Sequence, residues 1–154
     1  ESPFALRAVG AVVAVVCMVM MGLAYTDVYG VAVWCNAPAT VLAFLAGDLA
    51  MGLALYAVLD EKTYAEKTLR YASIAVNAVL AVALGLEVAA FVAAGSDPIL
   101  QVVGLVMAPV VSIVLAALSA KGSNGKAFAI GVCVASIVGV ALARYAFYAA
   151  CMVL

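Results

Sequence analysis

Apolar residues fill this chain in five long blocks, separated by short stretches that interrupt them, and inside the blocks there is no strand-like alternation of apolar and polar positions. About 20 consecutive apolar residues cross the roughly 30 Å hydrocarbon core of a bilayer as a helix. The pattern therefore predicts spans at 3–25, 37–59, 67–94, 98–120 and 127–154. Local signals punctuate it. Ser2-Pro3 offers a capping hydroxyl followed by a proline suited to a first helical turn, and Asn36 precedes a span carrying Pro38 in its first turn. Gly95-Ser96 stops the third block, Asp97-Pro98 starts the fourth, and 121–126 is a clear loop with two glycines between Lys121 and Lys126. The expected fold is an all-α integral membrane protein, a bundle of five transmembrane helices with short loops, with 1–154 as a single transmembrane domain. A competing topology turns 98–120 into a re-entrant hairpin around Pro109 and leaves four true spans.

Composition sharpens the class. The 154 residues are 70% hydrophobic and 10% charged, with a mean hydropathy of +1.31, against about 45–50% apolar and 25% charged in a soluble domain. A formal net charge of −1 with no basic tract gives nucleic acid no electrostatic footprint, so the expected partners are the lipid bilayer and other membrane subunits or further copies of the chain. The first block is as long as a full span and lacks a small-residue cleavage site, so it is expected to be a retained helix rather than a cleaved signal.

Orientation follows from the basic residues. Arg7 heads the first span, Lys62, Lys67 and Arg70 flank the second loop, and Lys121 and Lys126 flank the fourth, whereas the first loop, the third loop and the C-terminus hold none. This bias predicts a multi-pass protein with its N-terminus inside and its C-terminus outside. Tyr25, Tyr29 and Trp34 on the outer side, and Tyr64 and Tyr71 on the inner, fit interfacial belts.

Three charges fall at membrane depth, where each costs about 2.5–3.5 kcal/mol to insert. Asp48 is at the middle of the second span, Glu87 in the outer half of the third and Arg144 in the outer half of the fifth. Counting residues at about 1.5 Å rise, Glu87 and Arg144 lie at similar depth on parallel spans, so they are expected to form an ion pair that fixes helix register or gates a polar path. Asp48 has no basic residue level with its backbone. An unpartnered carboxyl there favours the neutral acid, bonded to a backbone carbonyl or to Asn77, with proton carriage as the sharper alternative. Asn77 and Gln101 are further polar groups at depth that act as glue between helices.

Small residues recur every four positions along the fifth span, at Ala127, Gly131, Ala135, Gly139 and Ala143, and shorter runs occupy the third (Ala81, Gly85, Ala89, Ala93) and second (Ala46, Ala50, Ala54). Such stripes let helix backbones approach where no hydrophobic force drives association. Of the four cysteines, Cys35 and Cys151 both fall on the outer side and are candidates for a disulfide, while Cys17 and Cys133 lie within spans. With no histidine and no C-x-x-C pair, neither haem nor zinc ligation is expected; carboxyl and amide oxygens leave lipid or pigment contacts open. Nucleophile elbows, metal-ligand pairs and phosphate-binding glycine loops are missing from the sequence, so an enzyme is not expected.

Arg7 at the head of a Val-rich first span that ends in Met18, Met20 and Met21 weakly resembles MARVEL and Casparian-strip tetraspan proteins. Asn77 stands where that family carries an acidic residue and five spans replace four, so nothing is carried over from the likeness. Two functions are expected: a non-catalytic accessory or scaffold subunit of a larger membrane complex, or a small oligomeric ion- or proton-coupled transporter or channel using Asp48, Glu87 and Arg144.

Overall fold

The structure, a computed structural model, describes residues 4–26, 33, 36–59, 67–119 and 125–150. Five helices carry it: α1 (Phe4–Thr26), α2 (Ala37–Leu59), α3 (Lys67–Ala93), α4 (Ile99–Ser119) and α5 (Gly125–Ala149). Each is long and apolar enough to cross a membrane, and the described residues contain no strand. The chain is thus an all-α, five-helix bundle of membrane-spanning type. The disulfide candidates Cys35 and Cys151 lie outside the described residues, as do Tyr29, Trp34, Lys62, Tyr64 and Lys121.

The α3–α4 turn shows how local sequence sets the architecture. Gly95 adopts φ +70°, a left-handed conformation that side chains rarely take. Its N–H donates to the Val92 carbonyl at 3.1 Å, and the Ser96 N–H donates to the Phe91 carbonyl at 2.9 Å. These two bonds form the glycine-terminated helix end that satisfies orphan carbonyls. Asp97 Oδ1 then accepts the Ile99 N–H at 2.9 Å, so the next helix starts at once. With so short a reversal, α3 and α4 lie antiparallel and residues equidistant from residue 94 face each other.

Pro109 does not break α4. A proline supplies no N–H and its ring crowds the preceding turn; the chain absorbs this by widening Val106–Val111 into a single π-helical stretch and resuming as α-helix at Ser112. Ile99–Ser119 is therefore one continuous span, and the re-entrant hairpin does not form.

The wide stretch rests on the stripe of α5. A methyl group built on Gly139 would lie 2.2 Å from the Ala108 amide nitrogen, and one built on Gly104 would lie 2.8 Å from both the Gly139 carbonyl oxygen and Ala143 Cβ. Gly131 meets Leu115 in the same interface, and Ala135 is buried. From Gly131 to Ala143 the α5 stripe thus serves its own bundle, against a matching row on α4 of Gly104, Ala108, Ser112 and Ala116, all buried, while Ala127 is exposed. Ala46, Ala50 and Ala54 of α2 are buried as well. On α3, by contrast, Ala89 and Ala93 are exposed and a methyl group on Gly85 would meet nothing within 4 Å. Helix α3 instead buries Ser73, Asn77, Leu80, Ala83, Leu84, Glu87 and Phe91.

Helix α1 stands apart from this four-helix core. It packs chiefly on α2, where Gly22 is the only buried residue of the helix and a methyl group on it would come within 2.8 Å of Val41 Cα. Over-packing a tight contact costs about 1–3 kcal/mol, more where backbone is the obstacle. We expect Gly139→Val to lower unfolding stability in detergent by about 3 kcal/mol. Gly85→Ala should leave it unchanged or raise it by up to about 1 kcal/mol, since Ala is the better helix former; thermal or denaturant unfolding of the two variants checks both.

Candidate functional site

The interior ionisable groups Asp48, Glu87 and Arg144 lie between the middle of the bundle and the end that holds the α3–α4 turn. Arg144 Nη2 donates to Asp48 Oδ1 at 2.5 Å, and the guanidinium carbon lies 4.6 Å from the centre of the Phe44 ring. Both side chains are mostly buried, 26% and 18% exposed. The ion pair joins α5 to α2, and the cation–π contact adds to it where water is scarce.

The expected Glu87–Arg144 ion pair is corrected by this geometry, and so is the absence of a cation for Asp48. Matching depth by backbone position overlooks side-chain direction. Cα–Cβ bonds tilt toward the N-terminus of their own helix, and α2 and α5 run antiparallel. Arg144 therefore leans toward mid-bundle while Asp48 leans toward Arg144, and the long arginine stem closes the gap. Neither does Asp48 bond to Asn77, whose Nδ2 donates at 2.9 Å to the Ser73 carbonyl one turn back on α3.

Glu87 is met by α4. Gln101 Nε2 donates to Glu87 Oε2, and both residues are buried, at 4% and 0% exposure. The pairing follows the turn register, since both residues are seven positions from residue 94. Gln101 Oε1 is buried with no hydrogen-bond partner, and Thr40 Oγ1 and Asn77 Oδ1 share that state. A small cavity of about 20 Å³ separates Glu87 from Arg144, walled by Phe44, Leu84, Val140 and Phe147 among others. Such a volume suits about one water molecule. The two residues matched by depth do share a site, across this space rather than in contact.

Aromatic rings close the site at that end. Tyr25 of α1 stacks on Phe44 at 5.6 Å and meets Phe147 edge-on at 5.8 Å; Phe147 also packs edge-to-face on Phe44 and Tyr148, at 6.1 and 5.9 Å. Buried Phe91 of α3 joins them. Offset and T-shaped pairs of this kind add about 0.5–1.5 kcal/mol each beyond area. Hydropathy and belt position put Tyr25 at the interface and give no hint of this cluster. A signal exists all the same: Tyr25, Phe44, Phe91 and Phe147 all lie within two turns of the same end of their helices. Tyr71 does stand exposed, with the Arg70 guanidinium 5.8 Å from its ring. Also beyond the sequence reading are Ser112 and Ser136, whose hydroxyls lie 3.0 Å apart across α4 and α5.

Cys17 and Cys133 are free thiols. Among the described residues no group of three His, Cys, Asp or Glu side chains could hold a metal ion. Compared with known proteins, the chain matches no family model, no curated protein and no solved structure.

Breaking a buried ion pair by removing one partner costs about 3–5 kcal/mol, because the other charge is stranded. Arg144→Gln is expected to destabilise the fold by about 3 kcal/mol, and Asp48→Asn combined with it to recover most of that loss. Glu87→Gln combined with Arg144→Gln should recover much less. A double-mutant cycle on unfolding in detergent reads the coupling, and equal coupling for the two pairs would contradict the geometry.

Proposed function

We propose that the chain is a non-catalytic accessory or scaffold subunit that packs into a larger multi-subunit membrane assembly, with α1 as its outward-facing docking helix. The observation that carries this reading is the exposure of α1. Val9, Val12, Val13, Val16, Met20 and Met21 are all 47–63% exposed; the first five recur at i, i+3, i+4 spacing and form one continuous apolar stripe of α1 that the rest of the bundle leaves uncovered. The interior charges support the same reading. Asp48 and Arg144 hold each other, Glu87 and Gln101 are sealed from the exterior, and between them lies space for about one water rather than a pore. A second reading, a small oligomeric proton- or ion-coupled transporter, draws on the convergence of Asp48, Glu87 and Arg144 around that one cavity.

Extracted in mild detergent from its source membrane, the protein is expected to migrate on a native gel inside one defined complex with other subunits. Val12→Trp together with Val16→Trp should release it while its helix content stays intact, because these side chains lie on an exposed face of α1. Migration as a small homo-oligomer would overturn this reading. Proton or solute flux in liposomes that Asp48→Asn abolishes would then establish the second one.

Placing the N-terminus on the inner face and the C-terminus on the outer is part of the same proposal. It rests on Arg7, Lys67, Arg70 and Lys126 all standing at ends of helices that point one way in the antiparallel bundle. Tags at the two ends should show opposite protease protection in sealed vesicles, and equal protection of both would refute it.

A further inference from the structure

We propose that Glu87 is a proton-binding site: it holds a proton that closes a two-point carboxylic acid–amide pair with Gln101, and it exchanges that proton through the small cavity it shares with Arg144. The proposal stands apart from the assembly reading, since it concerns the interior of the bundle whichever neighbours the chain has.

Two counts carry it. The first is of charges. Among the described residues the ionisable groups around this site are Asp48 from α2, Arg144 and Tyr148 from α5, Tyr25 from α1 and Glu87 itself from α3; α4 adds Gln101, which does not ionise. The single cation in that set is already bonded to Asp48. An ionised Glu87 would leave one negative charge unmatched beneath an aromatic end cap, and burying an unpaired carboxylate in such surroundings is expensive.

The second count is of hydrogens. Gln101 Nε2 donates to Glu87 Oε2, while Gln101 Oε1, fully buried, has no donor. A primary amide is planar, with its oxygen on the same carbon as the donating nitrogen. The carboxyl is planar too. In the proposed pair a proton on Glu87 Oε1 donates to Gln101 Oε1, and the two groups close a ring of two hydrogen bonds, N–H to Oε2 and O–H to the amide oxygen. One proton thus removes an unmatched charge and an unmatched acceptor together, and no other single hydrogen does both. Release takes the reverse course: the O–H bond breaks, the proton passes to water in the cavity, and the carboxylate that remains faces the Arg144 side chain across that space.

Infrared spectroscopy of the protein in lipid vesicles tests this directly. At neutral pH the wild type should show the carbonyl band of a protonated carboxyl, shifted by exchange into heavy water. Glu87→Gln should abolish it, and Gln101→Leu should move it to the higher frequency of a carboxyl that has lost a hydrogen bond. A wild type without the band overturns the proposal, as does a band that survives Glu87→Gln. Should Glu87→Gln fail to fold by circular dichroism, Gln101→Leu decides alone, and a band it leaves unmoved overturns the acid–amide pair.

Discussion

The closeness of α4 to α5 governs the interior of this protein. In lipid, helices gain nothing by hiding apolar surface from one another, so association rests on van der Waals contact and on polar groups that find partners. Gly139 and Gly104 let two backbones approach until one helix touches the main chain of the other. That contact has consequences at both of its ends. One turn before Gly104 is Gln101, and immediately after Ala143 is Arg144; the packing that seats the glycines therefore brings the amide of α4 and the guanidinium of α5 to the same end of the bundle. Towards the opposite end, the Ser112 and Ser136 hydroxyls pair across the same interface. Pro109 belongs to this arrangement as well. The π-helical stretch it induces puts Ala108 against Gly139, so a residue that would break a helix in water here shapes a contact surface.

The polar cluster depends on that framework rather than creating it. A lone ion pair in a membrane is a weak source of net stability, since each charge must first be stripped of water. What the Asp48–Arg144 pair supplies is register: a slip of α2 against α5 by one turn would separate the charges and strand both. Glu87 and Gln101 do the same for α3 and α4. The four residues draw on all four core helices, two helices to each pair. Aromatic rings from α1, α2, α3 and α5 then cover them, lowering the local dielectric and making every mismatch inside costlier.

The spans and the α3–α4 turn were legible because they depend on local chemistry: an apolar run of sufficient length, a glycine that can take positive φ, an aspartate that can cap. The stripe of α5 was legible too, though its partner on α4 was not, because Pro109 raises the possibility of a break in the very segment that carries Gly104, Ala108, Ser112 and Ala116. Polar partners were harder. Depth along a helix can be counted, but direction around it and the lean of each side chain cannot be counted in the same way. Glu87 and Arg144 have matched backbone depths and do line one cavity, yet arginine reaches several ångströms along the axis and meets Asp48 instead. The short turn between α3 and α4 did contain the information needed to pair Glu87 with Gln101, through the equal distance of each from residue 94.

Helix α1 sets the remaining constraint. Within the core of α2 to α5 Asp48 is paired with Arg144 and Glu87 with Gln101, while α1 packs chiefly on α2, with Gly22 at a close approach and Tyr25 in the aromatic cluster. The apolar stripe of α1 that the bundle leaves uncovered faces lipid or a neighbouring subunit. Tyr25 links this helix to the core, because it stacks on Phe44, the same ring that lies under the Arg144 guanidinium. Helix α1 is thereby joined to the surroundings of the interior charges through two aromatic rings, Tyr25 and Phe44.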